Sequence, residues 1–232
     1  MKELKSWGNY PLNKSTSKHF LLKEKEFNFE KNTIPYGNGR SYGDSCLSKH
    51  ILMMKNHNKI LSFDNNTGIL HVQSGILLDD IISKFLPKGW FLMVTPGTKF
   101  ITVGGAVASD IHGKNHHLEG CFSEYVHSFK LLLPNGDIKN CEKKENTELF
   151  HATCGGMGLT GIITEVKIEL KKVHSSYINQ TTIKSKNLKE TFEIFEKIKS
   201  EQYSVAWIDC MSKGEKLGRG HVIYGDFSED GN

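Results

Sequence analysis

Apolar residues recur along this chain with the periods of strands and helices. The alternation is clearest at 162–170, where Val166, Ile168 and Leu170 would share one side of a strand and charged residues the other. Between 78 and 86, apolar residues three and four apart predict one face of a helix, which Pro87 and Gly89 would end. Shorter apolar runs predict strands at 51–54, 59–63, 69–72, 128–133, 203–209 and 221–224. The runs at 59–63 and 69–72 would form a hairpin, and residues 134–137 a turn.

Capping signals predict two further helices. Asn146 would cap a short helix that ends before Gly155. Asn187 and Glu190 resemble a capping box at the start of a second helix. The apolar face of this second helix would consist of Leu188, Phe192, Phe195 and Ile198.

The predicted elements favour an α+β fold, because strands and helices mix without a regular βαβ rhythm. A polar stretch at 173–186, rich in Ser, Thr and Lys, is the best candidate boundary, which predicts domains at 1–174 and 175–232. The roughly 50 residues after this stretch are too few for an ordinary domain. We therefore expect the second domain to be cut short.

The composition argues against nucleic-acid binding, a disulfide framework and a membrane span. The formal net charge is +4 and the lysines are scattered, without the basic stripe and interleaved aromatic residues that nucleic-acid binding requires. Five widely spaced cysteines without a CxxC pair indicate free thiols in a reducing compartment. No run of about 18 apolar residues predicts a membrane span, and the N-terminus has no apolar signal core. We expect a cytoplasmic protein, with peripheral membrane contact left open.

Two glycine-rich loops, the first at residues 34–44 and the second at residues 95–117, are the candidates for ligand binding. The second loop (TPGTKFITVGGAVASDIHGKNHH) combines glycines with short polar side chains and almost no acidic charge. Glycines let backbone N–H groups approach a ligand closely, which suits a phosphorylated or planar polar ligand. The first loop, residues 34–44 (IPYGNGRSYGD), adds Arg40 to offset phosphate charge and the hydroxyl groups of Ser41 and Tyr42. The alternative is a surface turn in which Arg40 is only solvated. Our working hypothesis is a dinucleotide cofactor.

A third loop, residues 156–161, matches GxGxxG letter for letter. A Rossmann site needs that motif between a strand and a helix, whereas here the predicted strand at 162–170 follows it. We therefore reject the Rossmann interpretation, and two alternatives stay open: a tight turn and a third ligand-facing loop.

A metal site and aromatic contacts with a cofactor are less well supported by the sequence. His112, His116, His117 and Cys121 suggest zinc by residue type, but no second ligand pair completes the set, so we assign no metal. Trp90 and Trp207 are predicted to lie in the core rather than against a cofactor.

The three loops together resemble the vanillyl-alcohol-oxidase family of FAD-binding oxidoreductases, also called the PCMH type. The resemblance rests on GNGRSYGD (37–44), TVGGAVASDIHGKNHH (102–117) and ELFHATCGGMGLTGII (148–163), and more weakly on YSVAWIDC (203–210) and KLGRG (216–220). It covers nearly the whole chain and is weak at 12–33. It implies an α+β, two-subdomain PCMH-type FAD-binding domain, followed by the start of a truncated substrate (cap) domain.

The resemblance also implies cofactor contacts by position. The first loop would line the pyrophosphate, the second would follow the cofactor toward its isoalloxazine ring, and Ile163 would touch the cofactor after the third loop. His112 and Lys114 would lie on the substrate side of the flavin. Many relatives tether FAD covalently through a His of the first loop; Arg40 occupies that position here, which predicts non-covalent FAD. The expected cofactor-binding residues are Tyr36, Gly37, Asn38, Gly39, Arg40, Ser41, Tyr42, Gly43, Asp44, Pro96, Gly97, Thr98, Thr102, Val103, Gly104, Gly105, Ser109, Ile111, His112, Gly113, Asn115, Gly156, Gly158, Gly161 and Ile163.

Within the family, the string IHGKNHH resembles most the branch that oxidises the 2′-hydroxyl of a polyprenyl-phosphate-linked ribofuranose to a 2-keto sugar. That reaction is a step of epimerisation to arabinose for cell-wall polysaccharide, and it implies a sugar or lipid-linked sugar substrate and a separate short-chain reductase as partner. The lysine and cysteine associated with that active site would lie beyond Asn232, so we assign no catalytic base. Two alternatives stay open: a related oxidase of an aldonolactone or alditol, and a non-catalytic nucleotide-binding module.

Overall fold

The computed structural model describes residues 2–21 and 29–230. The strands in chain order are β1 (Lys2–Leu4), β2 (Asn13–His19), β3 (Thr33–Tyr36), β4 (His50–Met53), β5 (Ile60–Phe63), β6 (Ile69–Gln73), β7 (Trp90–Leu92), β8 (Val126–Leu132), β9 (Ile138–Glu142), β10 (Ile162–Lys172), β11 (Ile178–Ser185), β12 (Tyr203–Ile208) and β13 (Gly220–Phe227). The α-helices are α1 (Leu78–Phe85), α2 (Val103–Ala108), α3 (His116–Glu119), α4 (Thr147–Thr153) and α5 (Leu188–Lys197). No helix within the described ranges is both long and apolar enough to cross a bilayer.

The largest sheet is built around β10 and has the order β5–β6–β10–β8–β9, with β7 pairing the last residues of β10. All its pairings are antiparallel. Val166 on β10 lies between Val72 of β6 and Phe129 of β8, and all three are almost fully buried. The predicted alternation along β10 and the predicted β5–β6 hairpin are confirmed. The core on this sheet includes apolar residues of α1, α2 and α4.

A smaller mixed sheet with the order β1–β2–β4–β3 positions the first loop. Strands β2 and β3 both run parallel to β4. Leu4, Ile34 and Ile51 pack beneath this sheet in a core cluster of their own. Strand β3 ends at Tyr36, so the chain passes from a buried strand directly into the glycines of the first loop.

The last sheet, with the order β11–β13–β12, carries α5 on a separate apolar cluster that includes Ile194, Ile198 and Val222. The Nζ atom of Lys171 on β10 donates to the hydroxyl of Tyr203 on β12 at 2.8 Å, which connects this sheet to the largest one. Strand β11 begins inside the polar stretch where we placed the domain boundary; the division into domains stays a prediction.

Two expectations about the last sheet were wrong in whole or in part. Phe192 and Leu188 of α5 are exposed, whereas Phe195 and Ile198 pack in the cluster as predicted, and the buried face also carries Thr191 and Ile194. The Thr191 hydroxyl oxygen lies 2.8 Å from Ser185 Oγ on β11 and 3.3 Å from the Gly218 carbonyl oxygen, so hydrogen bonding of a polar residue fixes the helix to the sheet. Trp207 is 74% exposed rather than in the core, because side chains alternate along β12 and the adjacent Ala206 is the one that packs in the α5 cluster. Trp90 is buried, as predicted.

The two predicted caps had different outcomes. The Asn187 Oδ1 atom accepts from the Glu190 N–H at 3.0 Å, as predicted, although the Glu190 carboxylate accepts from the Lys186 N–H rather than closing the capping box. Asn146 precedes α4 but does not cap it. Its backbone is left-handed, with φ at 50°, and its side-chain amide donates to the Asn140 carbonyl oxygen instead.

Candidate cofactor site

The three glycine-rich loops face one elongated cleft between the largest sheet and the small mixed sheet. Its wider part, about 600 Å³, lies between the first and second loops. A narrower part, about 80 Å³, continues to the third loop and the start of β10. The predicted site residues that line the cleft are Gly37, Asn38, Gly39, Arg40, Ser41, Tyr42, Pro96, Gly97, Thr98, Thr102, Gly104, Gly105, Ser109, Ile111, His112, Gly158, Gly161 and Ile163.

The other predicted site residues lie outside the cleft lining: Tyr36, Gly43, Asp44, Val103, Gly113, Asn115 and Gly156. Tyr36 is buried below the first loop, where its hydroxyl donates to the Lys5 carbonyl oxygen at 2.7 Å. The Val103 side chain belongs to the main core. Asn115 is fully buried and its amide donates to the Met93 carbonyl oxygen at 2.8 Å. The structure therefore gives these three side chains a supporting position under the loops.

Backbone donors are concentrated in the first loop. Within the described residues, none of the N–H groups from Asn38 to Asp44 has a hydrogen-bond acceptor. Gly39 and Gly43 have left-handed backbones, with φ at 62° and 60°. Successive amides in such a turn form a concave anion-binding nest. Arg40, Tyr42, Gly43 and Asp44 are exposed, so their amides are open to solvent and free to donate to a ligand.

The second loop differs from the expectation that its glycines present free amides. Residues 103–108 form α2, and the amides at its start are already bonded. The Gly104 N–H donates to the Ser74 carbonyl oxygen at 2.8 Å, and the Gly105 N–H to Thr102 Oγ1 at 3.1 Å. Free amides occur before the helix, at Gly97 and Thr98, which have no acceptor in the part of the chain that the structure describes. The small side chains of α2 therefore shape the wall, and its flanks supply the donors.

Direct contacts hold the three loops together. The side-chain amide of Asn38 donates to the Phe100 carbonyl oxygen at 2.7 Å, which joins the first loop to the second. The Met157 N–H donates to the Ala108 carbonyl oxygen at 2.8 Å, which joins the third loop to the second. A Cβ atom at Gly37 would overlap the Thr102 hydroxyl, so glycine permits the close approach of the first two loops.

A serine that the sequence analysis missed lies on the floor of the narrow part. Ser74 is buried, and its Oγ atom has no hydrogen-bond partner within the described residues. A buried hydroxyl without a partner costs free energy, so it marks a place where a polar ligand would be bound. No sequence signal pointed to Ser74, because it follows β6 outside any glycine-rich motif. Cys46, Met54, Met157 and Trp7 are further lining residues that the sequence analysis did not predict.

The electrostatics of the cleft suit an anionic ligand. Arg40 is exposed at the wide part and has no ion-pair partner among the described residues. Burial raises the pKa of the Cys46 thiol, so this side chain adds no negative charge beside the loop. The Asp110 carboxylate accepts from the Ser123 N–H at 2.9 Å, which occupies one of its oxygen atoms. A guanidinium group beside unpaired amides favours a diphosphate.

The structure places His112 and Lys114 in two different cavities. His112 lines the wide part of the cleft, with its ring 5.3 Å from the ring of His116. Lys114 lines a separate cavity of about 330 Å³ between the largest and the last sheet, together with Tyr203 and Ser204. The Ser204 N–H donates to the Lys114 carbonyl oxygen at 3.0 Å. Across residues 2–21 and 29–230, no group of three or more His, Cys, Asp or Glu side chains could hold a metal ion.

The comparison with protein families agrees with this geometry. Residues 27–142 match the model of the family described as "FAD binding domain". The chain belongs to this family. FAD is therefore the cofactor, and the predicted α+β, PCMH-type FAD-binding fold is confirmed. The free amides of the first loop and the unpaired Ser74 hydroxyl fit the phosphates and polar groups of this dinucleotide.

Two known oxidases are similar to this chain in sequence, and one solved structure is similar to it in fold. The chain is 38% identical over 205 residues to the decaprenylphosphoryl-β-D-ribose oxidase of Mycolicibacterium smegmatis, which covers 86% of this chain and 44% of the relative. It is 29% identical over 176 residues to the L-gulonolactone oxidase of Bos taurus, and the match covers 74% of this chain and 39% of that relative. The solved structure of alkyldihydroxyacetonephosphate synthase shares the fold, with a TM-score of 0.68 at 18% identity, over 85% of this chain and 44% of that one. The chain thus spans less than half the length of these relatives.

Proposed function

We propose that this chain is the FAD-binding part of an oxidoreductase that oxidises the 2′-hydroxyl of a polyprenyl-phosphate-linked ribofuranose to a 2-keto sugar. The observation that carries the proposal is the convergence of three loops, with unpaired amides, on one cleft. The choice of sugar rests on the similarity to the mycobacterial ribose oxidase. Residues 1–174 would be the FAD-binding domain and 175–232 the start of a substrate domain.

Different residues of the cleft would bind different parts of FAD. The first loop and Arg40 would bind the pyrophosphate through amide N–H groups and the guanidinium group. Ser74 and Ile163 would contact the end of the cofactor in the narrow part, and His112 would border its isoalloxazine ring in the wide part. Arginine cannot form the covalent bond that a histidine of the first loop makes in many relatives. FAD is therefore expected to be bound non-covalently.

The cavity that contains Lys114, Tyr203 and Ser204 is the candidate substrate side. FAD, when bound, supplies the acceptor for a hydride from the sugar carbon. The contribution of this chain would be to orient the sugar and to exclude water. A keto-sugar product would require a separate short-chain reductase to complete epimerisation, and a lipid-linked substrate would bring the enzyme to a membrane surface.

The cofactor part of the proposal is tested by loading the purified chain with FAD, recording its visible spectrum and precipitating it with acid. We expect flavin absorption in the loaded protein and yellow colour in the acid supernatant. Colour in the pellet would contradict non-covalent binding, and a chain that cannot be loaded would favour a non-flavin nucleotide module. Arg40→Gln should weaken FAD binding by roughly 10- to 100-fold, the usual value of a charge-assisted hydrogen bond.

An aldonolactone oxidase is the second candidate, because the matched relatives include L-gulonolactone oxidase. The FAD-loaded chain would be mixed anaerobically with a synthetic prenylphosphoryl ribose or with L-gulono-1,4-lactone, and bleaching of the flavin would be followed. Bleaching by the ribose compound supports the proposal. Bleaching by the lactone alone would contradict it.

A further inference from the structure

Trp7 is a large aromatic residue at the edge of the cleft that no motif explains. It lies outside residues 27–142, which match the family model. Its side chain is 58% exposed, yet it lines the wide part of the cleft together with Arg40 and Tyr42. An exposed tryptophan at the mouth of a ligand cleft marks a binding position more often than a random surface position.

The segment before Trp7 holds it firmly against the first loop. The Trp7 N–H donates to the Ser41 carbonyl oxygen at 3.1 Å. Two residues earlier, the Lys5 carbonyl oxygen accepts from the Tyr36 hydroxyl at 2.7 Å. Leu4 is buried in the core of the small mixed sheet. The segment that ends at Trp7 is therefore held by three separate contacts, and the Trp7 N–H bonds directly to the loop that carries the free amides.

The ring of Trp7 meets the ring of Tyr42 in a perpendicular contact, with centroids 5.4 Å apart and planes at 77°. In such an edge-to-face pair the partner ring leaves at least one face of each ring uncovered. Tyr42 is itself 78% exposed and lies within the run of unpaired amides. The pair thus offers an aromatic surface directly beside a diphosphate nest.

We propose that Trp7, held against Tyr42, forms the outer wall of the cofactor cleft and contacts the isoalloxazine ring of FAD. This inference rests on the proposed function, because it needs FAD in the cleft. The wide part of the cleft suits the larger of the two FAD ring systems, and it holds Trp7 and His112 together. The narrow part, with Ser74 and Ile163, is left for the adenine end.

The test compares Trp7→Ala and Trp7→Phe with Trp207→Ala, which removes an exposed tryptophan on β12 that is not part of the cleft lining. Binding of FAD and of ADP is measured by calorimetry, after circular dichroism has shown that each variant is folded. Trp7→Ala should bind FAD roughly 5- to 100-fold more weakly, the range for loss of one aromatic stacking contact. Its affinity for ADP should be unchanged, and Trp7→Phe and Trp207→Ala should bind FAD within about threefold of the wild type.

The outcomes separate this inference from the proposed function. Unchanged FAD affinity in Trp7→Ala would overturn the inference and leave the function standing. An equal loss of FAD and ADP affinity would overturn the assignment to the isoalloxazine end. A wild-type chain that binds neither ligand would refute the proposed function and the inference together. If Trp7→Ala does not fold, the fluorescence emission of bound flavin in Trp7→Phe is measured instead. An indole ring against the isoalloxazine quenches flavin emission, so the emission should rise when Trp7 is replaced by Phe. Unchanged emission would overturn the inference.

Discussion

The side-chain amide of Asn38 donates a hydrogen bond to the backbone carbonyl oxygen of Phe100 at 2.7 Å. The two residues are 62 positions apart in the chain, and each belongs to a different glycine-rich loop. This bond sets the separation of the first and second loops, which together form the wide part of the cleft. A glycine-rich loop is flexible by itself, so a fixed link of this kind keeps its amides in a binding arrangement.

Replacing Asn38 by Asp should weaken FAD binding. The carboxylate is nearly the same shape as the amide, but it cannot donate to the Phe100 carbonyl oxygen and it adds negative charge beside the pyrophosphate. We expect a loss of at least about tenfold for Asn38→Asp and roughly fivefold for Asn38→Ala, which loses only the hydrogen bond. Calorimetric titration with FAD checks this. Asn135→Asp, in the turn after β8, is the control, and an Asn38→Asp variant with wild-type affinity would contradict the role of the link.

Replacing Gly37 by Ala should destabilise the fold and weaken FAD binding. The added Cβ atom would overlap the Thr102 hydroxyl, so the first two loops would have to move apart. Overpacking of this kind typically costs about 1–3 kcal/mol in the free energy of unfolding. Gly97→Ala is the matched control, because a Cβ atom at Gly97 meets no atom within 4 Å. Urea unfolding of both variants tests the prediction, which equal midpoints would contradict.

The sequence predicted the fold best where apolar residues alternate or repeat. Val166 and Ile168 alternate along β10, and the strand is found as predicted. The small mixed sheet was missed at β1, β2 and β3, because the mostly polar residues of β2 give no period to detect and residues 34–36 of β3 were assigned to the first loop. The buried face of α5 was predicted only in part, at Phe195 and Ile198, because Thr191 is buried through hydrogen bonds rather than through apolar character. Periodicity detects hydrophobic burial, and it does not detect burial by polar bonding.

The cofactor site was predictable where glycine and charge mark a loop, as at Gly39 and Arg40. It was not predictable where a residue enters the cleft from elsewhere in the chain. Ser74 follows an ordinary strand, and Trp7 reaches the cleft only because β1 pairs with β2 beside the first loop. Such residues are brought in by tertiary packing, for which one sequence carries no local signal.

The carboxyl group of Glu165 should make stability depend on pH in the acid range. Burial raises its pKa, but hydrogen bonds and charge from Lys130, at 3.0 Å, and His71, at 2.9 Å, outweigh burial and bring it below the ordinary value of 4.5. A folded-state pKa below the unfolded one stabilises the fold above the unfolded pKa, and this stability is lost as the pH falls through the folded pKa. Unfolding of the wild type should therefore become easier below about pH 4.5.

Glu165→Gln removes this titration, and we expect its free energy of unfolding to vary less with pH below about pH 5 than that of the wild type. At about pH 7 the variant should be less stable by roughly 1 kcal/mol, because the amide oxygen can still accept from Lys130 and His71 but without the negative charge that strengthens these bonds. Glu169→Gln is the control, since among the described residues its carboxylate pairs with the exposed His127 alone. Parallel pH profiles of wild type and Glu165→Gln in urea titrations would contradict the prediction.

The cysteines should differ sharply in reactivity. Burial, with a smaller contribution from the charge of Asp110, raises the pKa of the Cys154 thiol to about 12, whereas Cys210 is exposed. Because the thiolate is the reactive form, a pKa of about 12 leaves roughly one thiolate in ten thousand at about pH 8. Iodoacetamide followed by peptide mass spectrometry should label Cys210 first and Cys154 only after unfolding. Labelling of both at one rate in the folded protein would contradict the raised pKa of the partly buried Cys154 thiol.

The convergence of three loops on one flavin nucleotide is tested most directly by amide hydrogen exchange with and without FAD. FAD should slow exchange in peptides from all three loops, most strongly at the unpaired amides from Asn38 to Tyr42, which line the cleft, and should leave peptides from β12 unchanged. Protection of one loop alone, or of none, in a protein that demonstrably binds FAD would contradict it.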